Sequence, residues 1–362
     1  QCAANLEIRR SGTNGNSITF QAYQAPDGRF EKVIIDNQLD SDQAVWIKGA
    51  DYIIIDGFTF TGGRRAGILI GPNPACSSTP PSNYILIKDS IAYGNGNGVQ
   101  NSGHPGFYVR GNSKYITFER DEAYNNMRGF NIGTSHETDQ SKLPSFVTIR
   151  YSSAHHNGDG SGMVFAGASN SIMSHNVTYE NGDSGFGSQG PWANDNIFEY
   201  IVAFNQHNDL SMPDGGASPN ERGAQVGNVN GNLAQAGPIY YSGGRNTLSH
   251  HIIAFDNRGN GINDAQGSDN GIYYQVVAFN NTLGATGWGG LGSESEAGHL
   301  VNGQPYYPAV TIPATIKNSI AYQNNCNGRN FYYREGATIL AANITTANPL
   351  FVVPTPALCS PT

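Results

Sequence analysis

The stretch that decides the fold runs from Gly106 to Gly190. It reads GFYVRGNSKYITFERDEAYNNMR (106–128), GFNIGTSHETDQSKLPSFVTIRYSSAHHNGDGS (129–161), GMVFAGASNSIMSHNVTYENGDS (162–184) and GFGSQG (185–190). Each unit opens on Gly and a large apolar residue, gives two short alternating segments around a Gly/Ser/Asn turn, and closes near an aromatic or His followed by Asn. Gly106 to Gly129 is 23 residues and Gly162 to Gly185 is again 23. Gly129 to Gly162 is 33, and the extra ten fall in the polar loop at 135–145. A fixed period with insertions held to one corner marks a solenoid.

The units are built of strands. Phe107/Val109, Phe130/Ile132, Met163/Phe165 and Ile116/Phe118 alternate with polar or small neighbours, the period-two signature of a strand. No segment carries a sustained apolar stripe at helical spacing. Two or three short strands per unit predict an all-β chain, a single-domain parallel β-helix whose alternate side chains stack inward and whose others line an outer face.

Working outward, residues 1–43 hold two short strands, Ile18–Tyr23 and Val33–Asp36, around a Pro-Asp-Gly turn and are expected to cap the solenoid's N-terminal end. Coils are expected over 44–345, with insertions near 72–83, 135–145, 207–236 and 282–313, and a tail at 346–362. A recurrent close, Ala-(Tyr/Phe/His)-x-Asn, appears at Ala92, Ala123, Ala154, Ala254, Ala278 and Ala321, with Gln206 in the Asn place after Ala203. Ala suits a tight bend, and Asn tolerates left-handed backbone and can bond rung to rung as a ladder.

Composition narrows the partners. Among 362 residues 46 are Gly, charged residues make up 13%, and the net charge is −8. A nucleic-acid partner does not fit that balance, whereas a local basic site for an acidic sugar polymer does. Cys2, Cys76, Cys326 and Cys359 match no zinc spacing and suggest one disulfide near each end, Cys2–Cys76 and Cys326–Cys359. No run is long and apolar enough to span a membrane, and a start at Gln1 suits a mature protein whose leader has been removed or left out, so a secreted or cell-surface protein is expected. Asn176, Asn280 and Asn343 head glycosylation sequons.

SITFQAY and VIID near the start, WIKGADYIIIDGFTF, the repeated GFxV/I segments and NPLFVVP near the end together resemble the right-handed parallel β-helix, pectate-lyase-like proteins, over about residues 15 to 355. Many such proteins are polysaccharide lyases, some are hydrolases or epimerases, and some are inactive. The paired aspartates, GHG and RIK of polygalacturonase-type hydrolases are not found; only Gly103-His104-Pro105 comes near. The Arg-x-Pro-x-x-Arg of the best-known pectate lyases is also missing. A related lyase group places calcium-binding Asp residues in N-x-D-D-G turns and a lysine base in a following strand. The matching turns here carry Asp159 and Asp183, implying a Ca2+ site, and the matching outward positions are Tyr108, Asn131, Val164, Gly187, Tyr240 and Asn263, none of them lysine.

Elimination on a uronic acid needs a group to neutralise the carboxylate and a base for the proton alpha to it. Arg110 is expected as the carboxylate clamp and His136 or Tyr108 as the base. Asn131, Gln189, His104, Lys142 and Tyr240 are expected to bind substrate, and Asp159 and Asp183 a metal. Each has a plainer alternative: a solvated strand face and ordinary loop charges. His155, His156, His175, His250 and His251 recur at repeat positions and fit coil corners; stacked, they could also hold a metal. Three functions stay open: a secreted lyase acting on an acidic polysaccharide, a non-catalytic surface or filament-forming protein that self-assembles, and a glycoside hydrolase using Asp159 and Asp183 one coil apart.

Overall fold

The computed structural model describes residues 4–23, 25–26, 31–73, 79–96, 104–135, 137, 139–158, 160–182, 184–190, 192–206, 222–226, 245–257, 261–264, 270–281, 291–293, 300–301, 304–305, 314–322, 324, 331–333, 338–341 and 343. For residues 5, 222–226, 263–264, 291–293, 300–301, 304–305, 314, 331–333 and 338–341 the backbone alone is described. Among these residues the chain is strand and turn throughout, except for one short 3-10 turn at Gln140–Lys142.

The strands stack as parallel rungs. One sheet of eleven strands takes one strand from each coil, running from Ala4–Ile8 through Gln43–Ile47, Ala66–Ile70, Pro105–Val109, Arg128–Gly133, Met163–Ala166 and Ser184–Gln189 to Phe331–Tyr333. A second sheet collects the other two strand segments of each coil, such as Lys114–Glu119 and Glu122–Tyr124. Within both sheets the strand pairings among the described residues are parallel. The expected right-handed parallel β-helix is therefore the fold.

Two expectations about coil boundaries shift. The N-terminal residues are more than a cap: Ala4–Ile8 pairs with Gln43–Ile47, Ile18–Gln21 with Ile53–Asp56, and Val33–Asp36 with Phe58–Thr61. They form a full first rung. The rung after Ser184–Gln189 is Arg222–Val226, inside the stretch expected as an insertion, and Gly187 pairs with Gln225. Leu291–Ser293 likewise continues the first sheet from within 282–313.

The interior follows from the alternation. Phe60, Phe107, Phe118, Phe130, Phe165, Phe186 and Phe198 are fully buried with Ile and Val neighbours. Phe107 and Phe130 stack at 4.6 Å between ring centres, one rung apart. Each such ring contributes roughly 1.5–3 kcal/mol by leaving water. Gly opens each coil because the chain turns inward there against the Asn ladder: a Cβ on Gly106 would lie 2.8 Å from both Ala92 Cβ and Asn126 Nδ2.

The Ala-x-x-Asn close works as expected. Asn126 Nδ2 donates to Ala92 O at 2.9 Å, and Asn126 Oδ1 accepts from Asn95 N and Nδ2 at 3.1 and 2.9 Å. Asn157, Asn181, Asn257, Asn281 and Asn324 repeat the bond to the Ala carbonyl of the preceding coil. Gln206 keeps the rung-to-rung bonds but donates to Thr178 O instead. A parallel ladder explains two of the sequons. Asn176 is buried, donating to Ile149 O and accepting from Ser152 N, and Asn343 donates to Ile316 O and accepts from Ser319 N. Neither amide is available to carry a glycan in the folded protein.

Candidate functional site

The outer face of the eleven-stranded sheet carries a column of unlike residues. Register runs Trp46, Leu69, Tyr108, Asn131, Val164, Gly187, Gln225, Asn263. Trp46, Leu69, Asn131 and Val164 are buried although they point away from the core. Trp46 Nε1 donates to Gly71 O at 2.8 Å, and the Lys48 ammonium lies 4.0 Å from its ring centre.

Tyr108 and Asn131 sit side by side on adjacent rungs. The Arg110 guanidinium lies 5.1 Å from the Tyr108 ring centre, a cation–π distance that parks the charge over the phenol. From the other end of the next rung Arg128 reaches toward Asn131, with Nη1 3.4 Å from its Oδ1. The Arg128 side chain lies flat over Gly160, where a Cβ would come within 2.3 Å of Cγ. Two guanidinium groups thus bracket the Tyr108–Asn131 pair.

The starts of the same strands form a second column. Counting back from the pairings Gln43–Ala66 and Phe107–Ile68 places Asp42, Arg65 and His104 on successive rungs, with Arg128 beside them. Asp42 Oδ1 lies 3.7 Å from Arg65 Nε. His104 is 4% exposed, and its pKa is pushed down to about 4. Burial is the largest cause, and the Arg65 and Arg128 charges add to it. Asp42 and a hydrogen bond to the Arg65 backbone pull the other way. The imidazole is therefore neutral at neutral pH, held between two cations. Asp42 Oδ2, Gln43 Oε1 and Arg128 Nε are buried without a hydrogen-bond partner among the described residues. Each such atom costs about 1–3 kcal/mol.

Of the residues expected from sequence, Tyr108, Arg110, Asn131 and His104 come together on two neighbouring rungs. Gln189 does not join them: it aligns with Ala166 and Gly133, three rungs from Arg110, or about 14 Å at the usual rung spacing. Lys142 is exposed in the loop at 134–145 and pairs with Asp139 at 3.4 Å. That loop lines the far end of the strands, with Leu143 against Gly167 and Ser135 against Gly190. His136, Tyr240, Asp159, Asp183, Cys2, Cys76, Cys326 and Cys359 lie outside the described residues. In the place expected for Tyr240, the column continues through Gln225. Among the described residues no group of three or more His, Cys, Asp or Glu is arranged to hold a metal ion. Among them, too, no helix is long and apolar enough to cross a membrane.

Sequence reasoning missed Asp42, Gln43, Arg65 and Arg128. The available signal was position: each falls one to three residues before a coil-opening Ala or Gly, the same place as His104.

No protein-family profile matches the chain, and no curated protein matches it by sequence. Solved structures do match by shape. The periplasmic alginate epimerase AlgG superposes with a TM-score of 0.55 at 14% identity, over 93% of this chain and 67% of that one. The A-module of the Azotobacter vinelandii mannuronan C-5 epimerase AlgE4 gives 0.53 at 12%, over 93% and 86%. The GH136 lacto-N-biosidase from Eubacterium ramulus gives 0.52 at 12%, over 95% and 58%. The chain shares the parallel β-helix fold with these structures. At these identities the β-helix is what is shared, and the chemistry has to be argued from its own residues.

Proposed function

We propose that the outer face of the eleven-stranded sheet binds an acidic, uronic-acid-containing polysaccharide and cleaves it by β-elimination, with the chain acting outside the cell. The observation that carries this is the neutral, buried His104 between Arg65 and Arg128, beside three polar atoms that lack partners. Of these atoms Arg128 Nε is the donor: buried without a partner it is unfavourable alone and becomes favourable when an anion enters, while Asp42 and Gln43 offer acceptors to sugar hydroxyls. Arg128 receives the sugar carboxylate, and Arg65 adds charge from the rung below. Burial is the largest cause of the depressed His104 pKa and the Arg65 and Arg128 charges add to it; the carboxylate's negative charge offsets the cations' part, so substrate binding makes the imidazole a better base.

In the reaction His104 takes the proton alpha to the carboxylate, and the guanidinium holds the negative charge that builds on the carboxyl oxygens. The C4–O4 bond then breaks as the C4–C5 double bond forms, and the departing oxygen takes a proton from Tyr108. Asn131 holds a ring hydroxyl, and Arg110 stacks over the phenol and fixes its place. Alginate and mannuronan are named for two of the fold's neighbours, and both fit a uronate reading. An epimerase would share the first step and return the proton from the opposite face.

The test is incubation with pectate, alginate and glycosaminoglycans, with and without added Ca2+, read by ultraviolet absorbance of unsaturated uronate and by NMR of the C5 centre. Lyase action gives unsaturated ends that His104→Gln lowers by about 10²–10⁴-fold. C5 inversion without cleavage overturns elimination and keeps proton abstraction. No product from any polyuronate, together with no binding, removes the enzyme and favours a structural β-helix.

A further inference from the structure

A different feature lies at the N-terminal end of the solenoid, away from the site above. The residues expected there as a cap form a rung of their own, and the core shows through it. Leu6 stands in register with Val45, and the same inward column continues through Ile68 and Phe107. Those three are fully buried, whereas Leu6 is 40% exposed. The other inward columns begin the same way. Ile18 aligns with Ile53, Phe20 with Ile55 and Ile35 with Phe60. The second-rung residues are 0–3% exposed, and their first-rung counterparts are only half-buried.

The backbone of this rung is open as well. Among the described residues Ala4–Ile8, Ile18–Gln21 and Val33–Asp36 each pair with a strand on one side only. Unpaired strand edges beside an uncovered apolar stack are a template for further β-structure, and a solenoid end needs such a cover. A strand answers both needs at once: its N–H and C=O groups complete the edge, and its inward side chains cover Leu6, Ile18, Phe20 and Ile35.

We infer that this first rung is a dimer interface, meeting the same rung of a second copy head to head about a two-fold axis. Charge favours a second copy. Residues 1–36 hold four Asp or Glu and four Lys or Arg, so this end is balanced in a chain of net charge −8. The whole excess lies in residues 37–362. Two copies repel one another least when they approach by this end.

The shape of the rung favours the same pairing. A two-fold axis in the plane of the rung, passing through Leu6, reverses Ala4–Ile8 against itself and exchanges Ile18–Gln21 with Val33–Asp36. Those two strands are both four residues long and share one alternation, half-buried inward and exposed outward. Each therefore meets a strand of equal length, with apolar inward positions against apolar inward positions. The pairing across the axis is antiparallel, so the sheets and the core run on from one copy into the other. Such a contact is isologous and closes on itself, so assembly stops at two. It uses none of the residues of the candidate site.

Sedimentation equilibrium of the full chain tests this, with amide exchange as a second readout. The wild type is expected to associate reversibly to a dimer and no further, and protection of the Ala4–Ile8 amides is expected to rise with protein concentration. Leu6→Lys sets like charges face to face at the axis and is expected to weaken the dimer by at least about tenfold; in the monomer the exposed position lets the ammonium reach water. Thr19→Lys charges an exposed position on an edge strand without touching the core, so it should weaken the dimer with the melting curve of the dilute monomer unchanged. The inference is overturned if the wild type is monomeric at every concentration, or if both lysine variants dimerise as tightly as the wild type. Growth into filaments, or edge protection that does not depend on concentration, overturns it equally.

Discussion

The two outer faces of the solenoid are built on opposite rules. On the second sheet like stacks on like. Tyr93, Tyr124, His155, Tyr179, Phe204, Phe255 and Phe279 form one continuous outer stack with ring centres 4.6–5.3 Å apart. Tyr52, Tyr84, Tyr115 and Phe146 form another at 4.6–5.1 Å. Charges alternate up the neighbouring column, with Lys88 on Asp56 at 2.8 Å, Arg150 on Glu119 and Arg120 on Asp89. Within these stacks the ring faces, and in the neighbouring column the charges just named, are spent on the next rung. The first sheet's outer column repeats nothing, and Asp42, Gln43 and Arg128 at its edge carry unmatched atoms, as Asp56 and Ser249 do on the second sheet. The contrast between the faces lies in repetition: a column of like residues holds the solenoid together, whereas a column of unlike residues presents a local chemistry.

The sharpest way to break this contrast is Arg128→Gln. It should lower turnover by about 10²–10³-fold, the loss typical for a donor to a developing oxyanion, while stability holds or rises because a buried unmatched Nε is gone. Asn126→Ala should do the reverse. Removing its bonds to Ala92 O and Asn95 leaves buried groups unpaired, for a loss of about 2–4 kcal/mol in denaturant unfolding, with activity per folded molecule unchanged.

His104 supplies a pH signature. Its folded pKa lies below the ordinary 6.5, so the unfolded chain binds the proton more readily. Its contribution to stability is full above pH 6.5 and falls away as pH drops toward about 4. Thermal melts across that window should show this slope in the wild type and lose it in His104→Gln. Gly160→Ala should push Arg128 aside without altering any charge, raising KM and lowering turnover by about tenfold. Phe204→Leu, inside the repeating stack, should cost only about 0.5–1.5 kcal/mol and leave turnover alone.

Much of the architecture was legible because it rests on repetition. The coil-opening Gly, the alternation of Phe107/Val109 and Phe130/Ile132, and the Ala-x-x-Asn close each state one rung's geometry, and the ladder bonds follow. Arg222–Val226 escaped because RGAQV has too little apolar alternation to read as a strand. The outer stack of Tyr84, Tyr115 and Phe146 escaped for another reason: all three hold φ between 56° and 59°, a conformation bulky residues disfavour, where Asn170, Asp195, Asn246 and Asn270 do the same job on later rungs by ordinary preference. Half of the candidate site was readable, because Tyr108 and Asn131 are the odd positions of clean strands. Arg65 and Arg128 were not, since a charge just before a turn glycine looks like any solvated loop until the rungs are stacked.

The central claim is that the unlike column works and the like columns hold. Calorimetric titration of an oligouronate into the wild type, Arg128→Gln and Phe204→Leu tests it most directly. The account predicts that Arg128→Gln loses at least about tenfold in affinity, as expected for a charge-assisted contact, and that Phe204→Leu binds as the wild type does. Equal binding by Arg128→Gln, or a loss confined to Phe204→Leu, would contradict it.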